Sequence, residues 1–226
     1  MMKRLIVAAM SIVTVLALTA CNSTDVVAKV SVTSFESVLN KLGSKVEFDE
    51  RDNAWALKSP TGERFLIGKD FAGDSDVVQE FDAEPFINAG LEPDKLPSEI
   101  YRYDESAGNL RVIGELGSEE FSYSGEPTAI DTFKQVVKTN REAIGYHEKL
   151  DHYGIAMGNG NMFEWAKDMA VNDKDIVFVL NPEPFMEAGA DPEKVEGWVF
   201  AKVEVKDESG KPQQVDKLLK PFELGE

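Results

Sequence analysis

The two histidines of the chain, His147 and His152, are the side chains with the most direct potential for metal chemistry. Imidazole nitrogens beside a carboxylate such as Glu148 are typical ligands of zinc and copper. A spacing of five residues, however, does not place both imidazoles on one face of a helix. We therefore interpret His147 and His152 as a pair of surface histidines, with a metal site at these two residues as the alternative.

A second candidate comes from a segment that occurs twice, EPFINAGLEPDK at residues 84–95 and EPFMEAGADPEK at residues 183–194. Its first residues, Glu84 and Glu183, could form a symmetric pair of binding sites. The other repeated residues have a structural explanation, because proline suits the first turn of a helix and glycine the position just past its end. The segment is predicted to form one helical turn. Its phenylalanine, Phe86 in the first copy and Phe185 in the second, is expected in the hydrophobic core of the repeated unit that contains it, packed against the helix that begins that unit.

The rest of the sequence indicates neither catalysis nor a bound cofactor. The matching loops GDSD (residues 73–76) and NDKD (residues 172–175) concentrate carboxylates, but they lack the glycine that an EF-hand calcium loop needs at a fixed place. The sequence also lacks a glycine-rich phosphate loop and a serine in a nucleophile elbow. We predict no catalytic residue and no cofactor apart from a covalent lipid, and acid–base chemistry by pairs of the 41 acidic residues is the alternative.

The amino-terminal segment resembles the signal of bacterial lipoprotein precursors. Lys3 and Arg4 precede an uncharged apolar run at residues 5–20, which is shorter than the roughly 20 residues that a membrane-spanning helix needs. The run leads into the four residues of a lipobox: Leu18, Thr19, Ala20 and Cys21. The resemblance implies cleavage before Cys21, diacylglycerol on its thiol and often an acyl chain such as palmitate on its new amino group. An ordinary secretory signal with a chance cysteine is the alternative.

The resemblance implies an exported protein that is anchored to the bacterial cell membrane by its lipid. In bacteria with two membranes, aspartate after the lipidated cysteine often signals retention at the inner membrane, so Asn22 leaves the outer membrane open. The removed segment holds two of the 24 basic residues and none of the 41 acidic ones, so the mature chain carries a net charge of −19. Such a surface repels nucleic acid and anionic headgroups. We expect residues 21–33 to tether a body that does not lie on the bilayer.

Most of the remaining chain consists of two copies of one module. The two repeated segments agree at seven of twelve positions with an offset of 99, and weaker similarity continues upstream with an offset of 98. Matches in one order along the whole length predict a tandem duplication. The predicted parts are a signal peptide at residues 1–20, a tether at 21–33, module 1 at 34–116, a linker at 117–131 and module 2 at 132–226.

Each module is predicted to be one helix packed on an antiparallel β-meander, which makes the fold α+β. The first helix is predicted from SFESVLNKLG at residues 34–43, where apolar residues recur at helical spacing. Residues 55–59 and 64–68 flank a turn and predict a hairpin. The wholly apolar stretch IVFVL at residues 176–180 predicts a central strand.

These features favour a binding protein of the cell envelope. Because the repeated residues have packing explanations, we expect a non-enzymatic lipoprotein that binds an envelope protein, a peptide or a small solute between its two modules, and no nucleic acid. The alternative is a metal-carrying protein, or a hydrolase that uses acidic residues or the pair His147 and His152. A deep cleft between the modules, and the polarity of its lining, would discriminate between these functions.

Overall fold

The computed structural model describes residues 21–69, 77–114, 116, 123–147, 151–167, 175–206 and 211–222. Residues 1–20 lie outside this part, as do Glu148, residues 73–76 and 172–174 of the two acidic loops, and residues 117–122 of the predicted linker. Within the described residues, the chain forms two six-stranded sheets, each preceded by a helix. The prediction of an α+β protein with two similar modules is therefore confirmed.

Module 1 begins with a helix that already includes the residues expected to form a tether. This helix, α1, spans Cys21–Leu42. Val27 and Val32 pack against the hydrophobic core, and Ser31 is fully buried. The β-branched residues of this stretch have low helix propensity, so packing stabilises the helix here. The elements that follow are β1 (Val46–Asp49), β2 (Ala54–Lys58), β3 (Arg64–Gly68), β4 (Val77–Asp82), the one-turn helix α2 (Glu84–Asn88), β5 (Tyr101–Asp104) and β6 (Asn109–Gly114).

Module 2 repeats this order of elements. Its first helix, α3, spans Ala129–Thr139 and begins inside the segment predicted as linker. The Thr128 side chain accepts a hydrogen bond from the backbone N–H of Asp131, and the Asp131 carboxylate accepts one from the backbone N–H of Thr128, which forms a capping box. The elements that follow are β7 (Ile144–His147), β8 (His152–Gly158), β9 (Asn161–Ala166), β10 (Ile176–Leu180), the one-turn helix α4 (Glu183–Glu187), β11 (Val199–Lys206) and β12 (Pro212–Phe222).

The two sheets have the same strand order, β1-β2-β3-β4-β6-β5 and β7-β8-β9-β10-β12-β11. Neighbouring strands are antiparallel throughout both sheets. The last hairpin of each departs from a simple meander, because its second strand pairs with β4 or β10 and its first strand lies at the edge. The predicted central strand is β10, which is buried at every position.

Each opening helix contacts both modules. Helix α1 packs against α3 and against β7 and β9 of module 2 as well as β2 of its own sheet, and α3 packs against β3. Ser34 donates a hydrogen bond from Oγ to the carbonyl oxygen of Ala166 at 2.9 Å. Lys41 pairs with the buried Asp175 at 3.3 Å. The helix that was expected to cover one sheet therefore also joins the two modules.

Corresponding residues of the two modules touch each other, which is the mark of a twofold axis. The rings of Phe65 and Phe163 stack with centroids 4.0 Å apart and planes inclined by only 2°. Residues of both modules form one continuous hydrophobic core, so the molecule is a pseudo-dimer within one chain. Two further pairs meet in the same way: Phe35 with Phe133 at 3.8 Å, and Phe86 with Phe185 at 5.1 Å between ring centroids.

Phe86 and Phe185 are fully buried, as predicted. Their ring neighbours, however, come from both modules. Phe86 packs against Phe81 of its own module and against Trp198 and Phe185 of module 2, while Phe185 also packs against Tyr101 of module 1. Packing across the pseudo-twofold axis therefore takes the place of the expected packing against the opening helix of the same module.

A reciprocal pair of hydrogen bonds joins the backbones of the two repeated turns. The N–H of Glu92 donates to the carbonyl oxygen of Ala188, and the N–H of Asp191 donates to that of Ala89, both at 2.8 Å. The two bonds are related by the same offset of 99 as the two segments. The contact between the two turns therefore depends on the conformation of their backbones.

Gly90 and Gly189 show why this shape restricts the sequence. Both have positive φ angles, 104° and 100°, a conformation that side chains other than glycine adopt only with strain. A Cβ atom on either residue would lie 2.8 Å from the carbonyl oxygen of the other. Each glycine is therefore needed both for its own conformation and for the close approach of the other module.

We predict that Gly90→Ala destabilises the protein more than Gly62→Ala. Gly62 has a φ of 108°, but nothing lies within 4 Å of a Cβ added there. Its replacement should cost the backbone strain alone, about 1–2 kcal/mol. Gly90→Ala adds the clash with Gly189 and should lower the free energy of unfolding in urea further. Equal losses for the two variants would show that contact between the turns does not restrict this position.

Candidate functional site

The first surface with candidate residues is formed by the paired turns α2 and α4. Glu84 and Glu183 begin these two helices, and both side chains are exposed. Their backbone N–H groups donate to the side chains of Asp82 and Asn181, at 2.9 and 3.2 Å. The structure thus places Glu84 and Glu183 at corresponding positions of two turns that touch, and their role in binding stays a prediction.

Large hydrophobic side chains are exposed at one corresponding position of both turns. Ile87 is 39% exposed and Met186 is 47% exposed, and with Val30 they make up the exposed large hydrophobic residues of the described ranges. Because the turns touch, we name residues 82–95 and 181–194 together the turn-pair surface. Sequence reasoning passed over Ile87 and Met186 because the two copies differ there. Each follows a buried phenylalanine by one helical position, which was the available signal.

The turn-pair surface is strongly acidic. Each half contains four acidic residues and one lysine. The lysine pairs with the acid three residues before it, Lys95 with Glu92 and Lys194 with Asp191, both at 2.6 Å. The hydrogen bond from Lys194 holds the pKa of Asp191 below its ordinary value, so this carboxylate keeps its charge at neutral pH. An apolar pair in acidic surroundings is complementary to a surface that is both apolar and basic.

The second surface contains the histidines, which a sheet and not a helix brings together. Strand β7 pairs with β8 so that His147 lies directly opposite His152. The side chain of His147 is outside the described part of the chain. His152 is only 2% exposed, so the interpretation as a pair of surface histidines is wrong for this residue.

His152 lies beside a buried carboxylate on the neighbouring strand. Its Nδ1 atom is 3.7 Å from Oε2 of Glu164, and both side chains are 3% exposed. This Nδ1 has no hydrogen-bond partner. Along β9, Met162 and Glu164 alternate with Phe163 and Trp165, which belong to the shared core. His152 and Glu164 therefore lie on the opposite side of the sheet, which we name the outer face of module 2.

Lys217 is a third buried polar residue near Glu164. It is 8% exposed, and its Nζ donates a hydrogen bond to the carbonyl oxygen of Gly160 at 2.6 Å. Burial lowers the pKa of Lys217 to about 8, and the charge of Glu164 opposes part of this shift. Three ionisable side chains thus lie away from water in a sheet region whose other buried residues are mainly aliphatic.

Module 1 shows that the fold does not require polar residues at these positions. The offset of 98 makes Ala54 the counterpart of His152 and Leu66 the counterpart of Glu164, and the paired strands have matching registers. These counterparts belong to a buried apolar cluster made of Ala54, Ala56, Leu66, Val78 and Ile113. The buried imidazole and carboxylate of module 2 therefore need an explanation beyond packing.

Module 1 carries charged residues on its own outer face, where they are mutually paired. Arg64 pairs with Asp49 and Arg111 pairs with Asp52, each at 2.8 Å, and Glu80 lies between the two arginines in the sheet. Burial alone would raise the pKa of Asp52, but hydrogen bonds from Arg111 and a second arginine hold it below its ordinary value. Since these charges satisfy one another, a structural role explains them.

Among the side chains that the structure describes, no group of three or more His, Cys, Asp or Glu residues is placed to hold a metal ion. No helix in the described ranges is both long enough and apolar enough to cross a membrane.

Lys217→Met should change the dependence of stability on pH. In the folded protein the pKa of Lys217 is about 8, below the ordinary value of 10.5, so unfolding takes up a proton between these pH values. The burial penalty is therefore fully present below about pH 8 and disappears as the pH rises toward 10.5. The free energy of unfolding of the wild type should rise over this pH range. One pKa unit corresponds to about 1.4 kcal/mol, so this rise in the free energy of unfolding should be at most a few kcal/mol.

The measurement is urea unfolding of the wild type and of Lys217→Met at about pH 7 and about pH 10. The variant should lack the rise, and Lys138→Met, at an exposed lysine of α3, should retain it. A difference between wild type and Lys217→Met that is the same at both pH values would contradict the pKa assignment.

Comparison with known proteins does not place this chain in a family. No protein-family model matches it. No curated protein and no solved structure is similar enough to count as a match. A function must therefore be argued from the residues and contacts described above.

Proposed function

We propose that this chain is an exported, lipid-anchored protein of the bacterial cell envelope that acts by binding a partner protein and not by catalysis. The uncharged run at residues 5–20 and the lipobox that ends in Cys21 support export and anchoring. Cys21 is the only cysteine of the chain, so it has no intramolecular disulfide partner. The mature net charge of −19 disfavours nucleic acid as the partner.

The observation that carries the binding role is the exposed pair Ile87 and Met186. Single exposed hydrophobic side chains are common and need no explanation. Here, however, two of the three exposed large hydrophobic residues of the described ranges occupy corresponding positions on turns that touch. Apolar side chains that protrude beside a rigid, glycine-dependent backbone contact are suited to act as anchors for a partner.

The charges around this pair indicate the chemistry of the partner. Each half of the turn-pair surface has four acidic residues and one lysine. A protein segment with lysine or arginine beside apolar side chains would complement both features. A second copy of this chain is disfavoured, because it would bring two strongly negative surfaces together.

The interior of the molecule favours an outer surface over the space between the modules as the binding site. Where the two modules meet, fully buried rings stack in two pairs, Phe35 on Phe133 and Phe65 on Phe163. A ligand there would have to displace side chains of the core. We therefore assign the partner to the turn-pair surface and include Glu84 and Glu183 in its contact area.

The lipid anchor predicts that Cys21→Ser releases the protein from the membrane fraction or leaves an uncleaved precursor. The thiol is the group that would carry diacylglycerol, and serine cannot replace it in the thioether. Fractionation followed by intact-mass measurement tests this. An unmodified Cys21 in the native protein would rule out the anchor.

The binding surface predicts selective affinity for short synthetic peptides that combine lysine with leucine. Fluorescence anisotropy should show binding that weakens as salt is raised, because the contact includes charges. Peptides with the leucines changed to serine, or the lysines changed to glutamate, should bind much more weakly. The double variant Ile87→Ser, Met186→Ser should lose roughly tenfold or more in affinity, as expected for central apolar anchors.

Val30→Ser is the matched control, because Val30 is exposed to a similar degree but lies on α1. It should bind the peptides like the wild type. Glu84→Gln with Glu183→Gln should weaken binding at low salt only, since these carboxylates act by charge. If the Ile87 and Met186 variant binds like the wild type, the turn-pair surface is not the site.

A further inference from the structure

We propose that module 2 forms an internal covalent cross-link, an amide bond between the side-chain amine of Lys217 and the side-chain carbonyl carbon of Asn181. The folded chain makes this bond itself and releases ammonia. The pair is thus both a modification site and the site of a self-directed reaction. It does not depend on the function proposed above.

The register of the second sheet places the two residues next to each other. Val179 of β10 lies opposite Leu219 of β12, and both belong to the buried cluster on the outer face of module 2. Two residues beyond this pair, the same antiparallel register sets Asn181 opposite Lys217. Alternate residues of a strand share a face, so both side chains extend from the outer face. The Cβ atoms of such a pair are about 4.5–5.5 Å apart.

The turn between β8 and β9 brings the reacting atoms together. Lys217 reaches across to this turn, where its Nζ donates a hydrogen bond to the carbonyl oxygen of Gly160 at 2.6 Å. A Cβ added to Gly160 would lie 2.9 Å from Nζ of Lys217 and 3.7 Å from Cγ of Asn181. Glycine therefore leaves the space in which the amine approaches the amide carbon. Holding two reacting groups close in this way accelerates their reaction.

Lys217 has the properties of a nucleophile. It is 8% exposed, and burial lowers its pKa to about 8, although the charge of Glu164 on the same face opposes part of this shift. At neutral pH a larger fraction of this amine is therefore uncharged than in an exposed lysine. The uncharged amine carries the electron pair that attacks a carbonyl carbon.

Asn181 has the properties of the electrophile. Its Oδ1 accepts a hydrogen bond from the backbone N–H of Glu183 at 3.2 Å, which polarises the carbonyl and stabilises negative charge on this oxygen during attack. Its own N–H donates to Oδ1 of Asn161 at 2.9 Å, so the residue is held in place. The next residue is Pro182, whose backbone nitrogen carries no hydrogen. Attack on the amide by the following backbone nitrogen is therefore blocked.

The step balances without any further reactant. The electron pair on Nζ of Lys217 forms a bond to Cγ of Asn181, and the bond from Cγ to Nδ2 breaks. Nδ2 leaves as ammonia and takes the proton that Nζ loses. The product closes a loop of residues 181–217, which contains half of the turn-pair surface. Lys217 no longer titrates once it is coupled, so the rise in stability with pH described above belongs to the uncoupled chain.

Module 1 shows that the fold does not require a lysine at this place. The pair that corresponds to Asn181 and Lys217 is Asp82 and Asn109, which lie opposite each other on β4 and β6. The corresponding turn has Gly62, and nothing lies within 4 Å of a Cβ added there. The approach of an amine to a turn glycine and an amide is therefore specific to module 2.

Peptide mapping by mass spectrometry tests the cross-link. The folded full-length chain is incubated at about pH 9, above the pKa of Lys217, and is then digested with a protease that cleaves after glutamate. We expect a branched peptide that joins residues 165–187 to residues 209–223 and is lighter than the two together by one ammonia. Fragmentation should locate the branch at Asn181 and Lys217.

The control without any substitution is the same chain kept unfolded in urea, which should form no branched peptide because the two side chains are no longer held together. Lys217→Arg keeps a positive charge but removes the amine, and Asn181→Ser removes the amide. Neither variant should form the branch. Lys202→Arg, at an exposed lysine of the same hairpin, should form it like the wild type. Circular dichroism verifies that the variants are folded.

The proposal is overturned if the folded wild type yields these two peptides only as separate species after incubation. A branch that also forms in the unfolded chain or in Asn181→Ser would overturn it as well, because the bond would then not depend on this pair in the folded sheet. In either case Lys217 serves only to hold the turn through the carbonyl oxygen of Gly160.

Discussion

The contact of each module with its own copy is the interaction on which the rest of the structure depends. A sheet with one apolar face must cover that face with another layer, and here each module supplies part of the cover for the other. The stack of Phe65 on Phe163 and the close approach of Gly90 and Gly189 mark the axis of this contact. The opening helices strengthen it, because α1 donates a hydrogen bond from Ser34 to the second sheet. The two sheets therefore share one core.

This constraint accounts for the uneven similarity between the two copies. A residue on the axis packs against its own counterpart, so a change in either copy disturbs a contact that the other copy also needs. Residues on the outer faces do not meet their counterparts, and there the copies differ in kind. Arg64, Glu80 and Arg111 form a paired charge network in module 1. The strand registers place three buried apolar residues at the corresponding positions of module 2: Met162, Val179 and Leu219.

The sequence predicted what depends on local signals. The hairpin of β2 and β3 follows from alternation around a turn, and its bounds differ from the prediction by one residue at most. The amino-terminal half of α1 was missed because its stability comes from packing, which propensity does not reveal. The placement of Glu84 and Glu183 on matching turns was predicted, and the exposure of Ile87 and Met186 was not. The nearness of His152 to Glu164 depends on strand register, which the spacing of residues along the chain does not give.

The covalent link between the modules has a consequence that a dimer of separate subunits would not share. Identical subunits must carry every residue twice, whereas here Ala54 belongs to a buried apolar cluster and its counterpart His152 lies beside the carboxylate of Glu164. Each outer face is free to specialise while the common core stays intact. Because the two halves meet at a fixed effective concentration, dilution does not separate them. Such a molecule keeps its paired surface at any concentration.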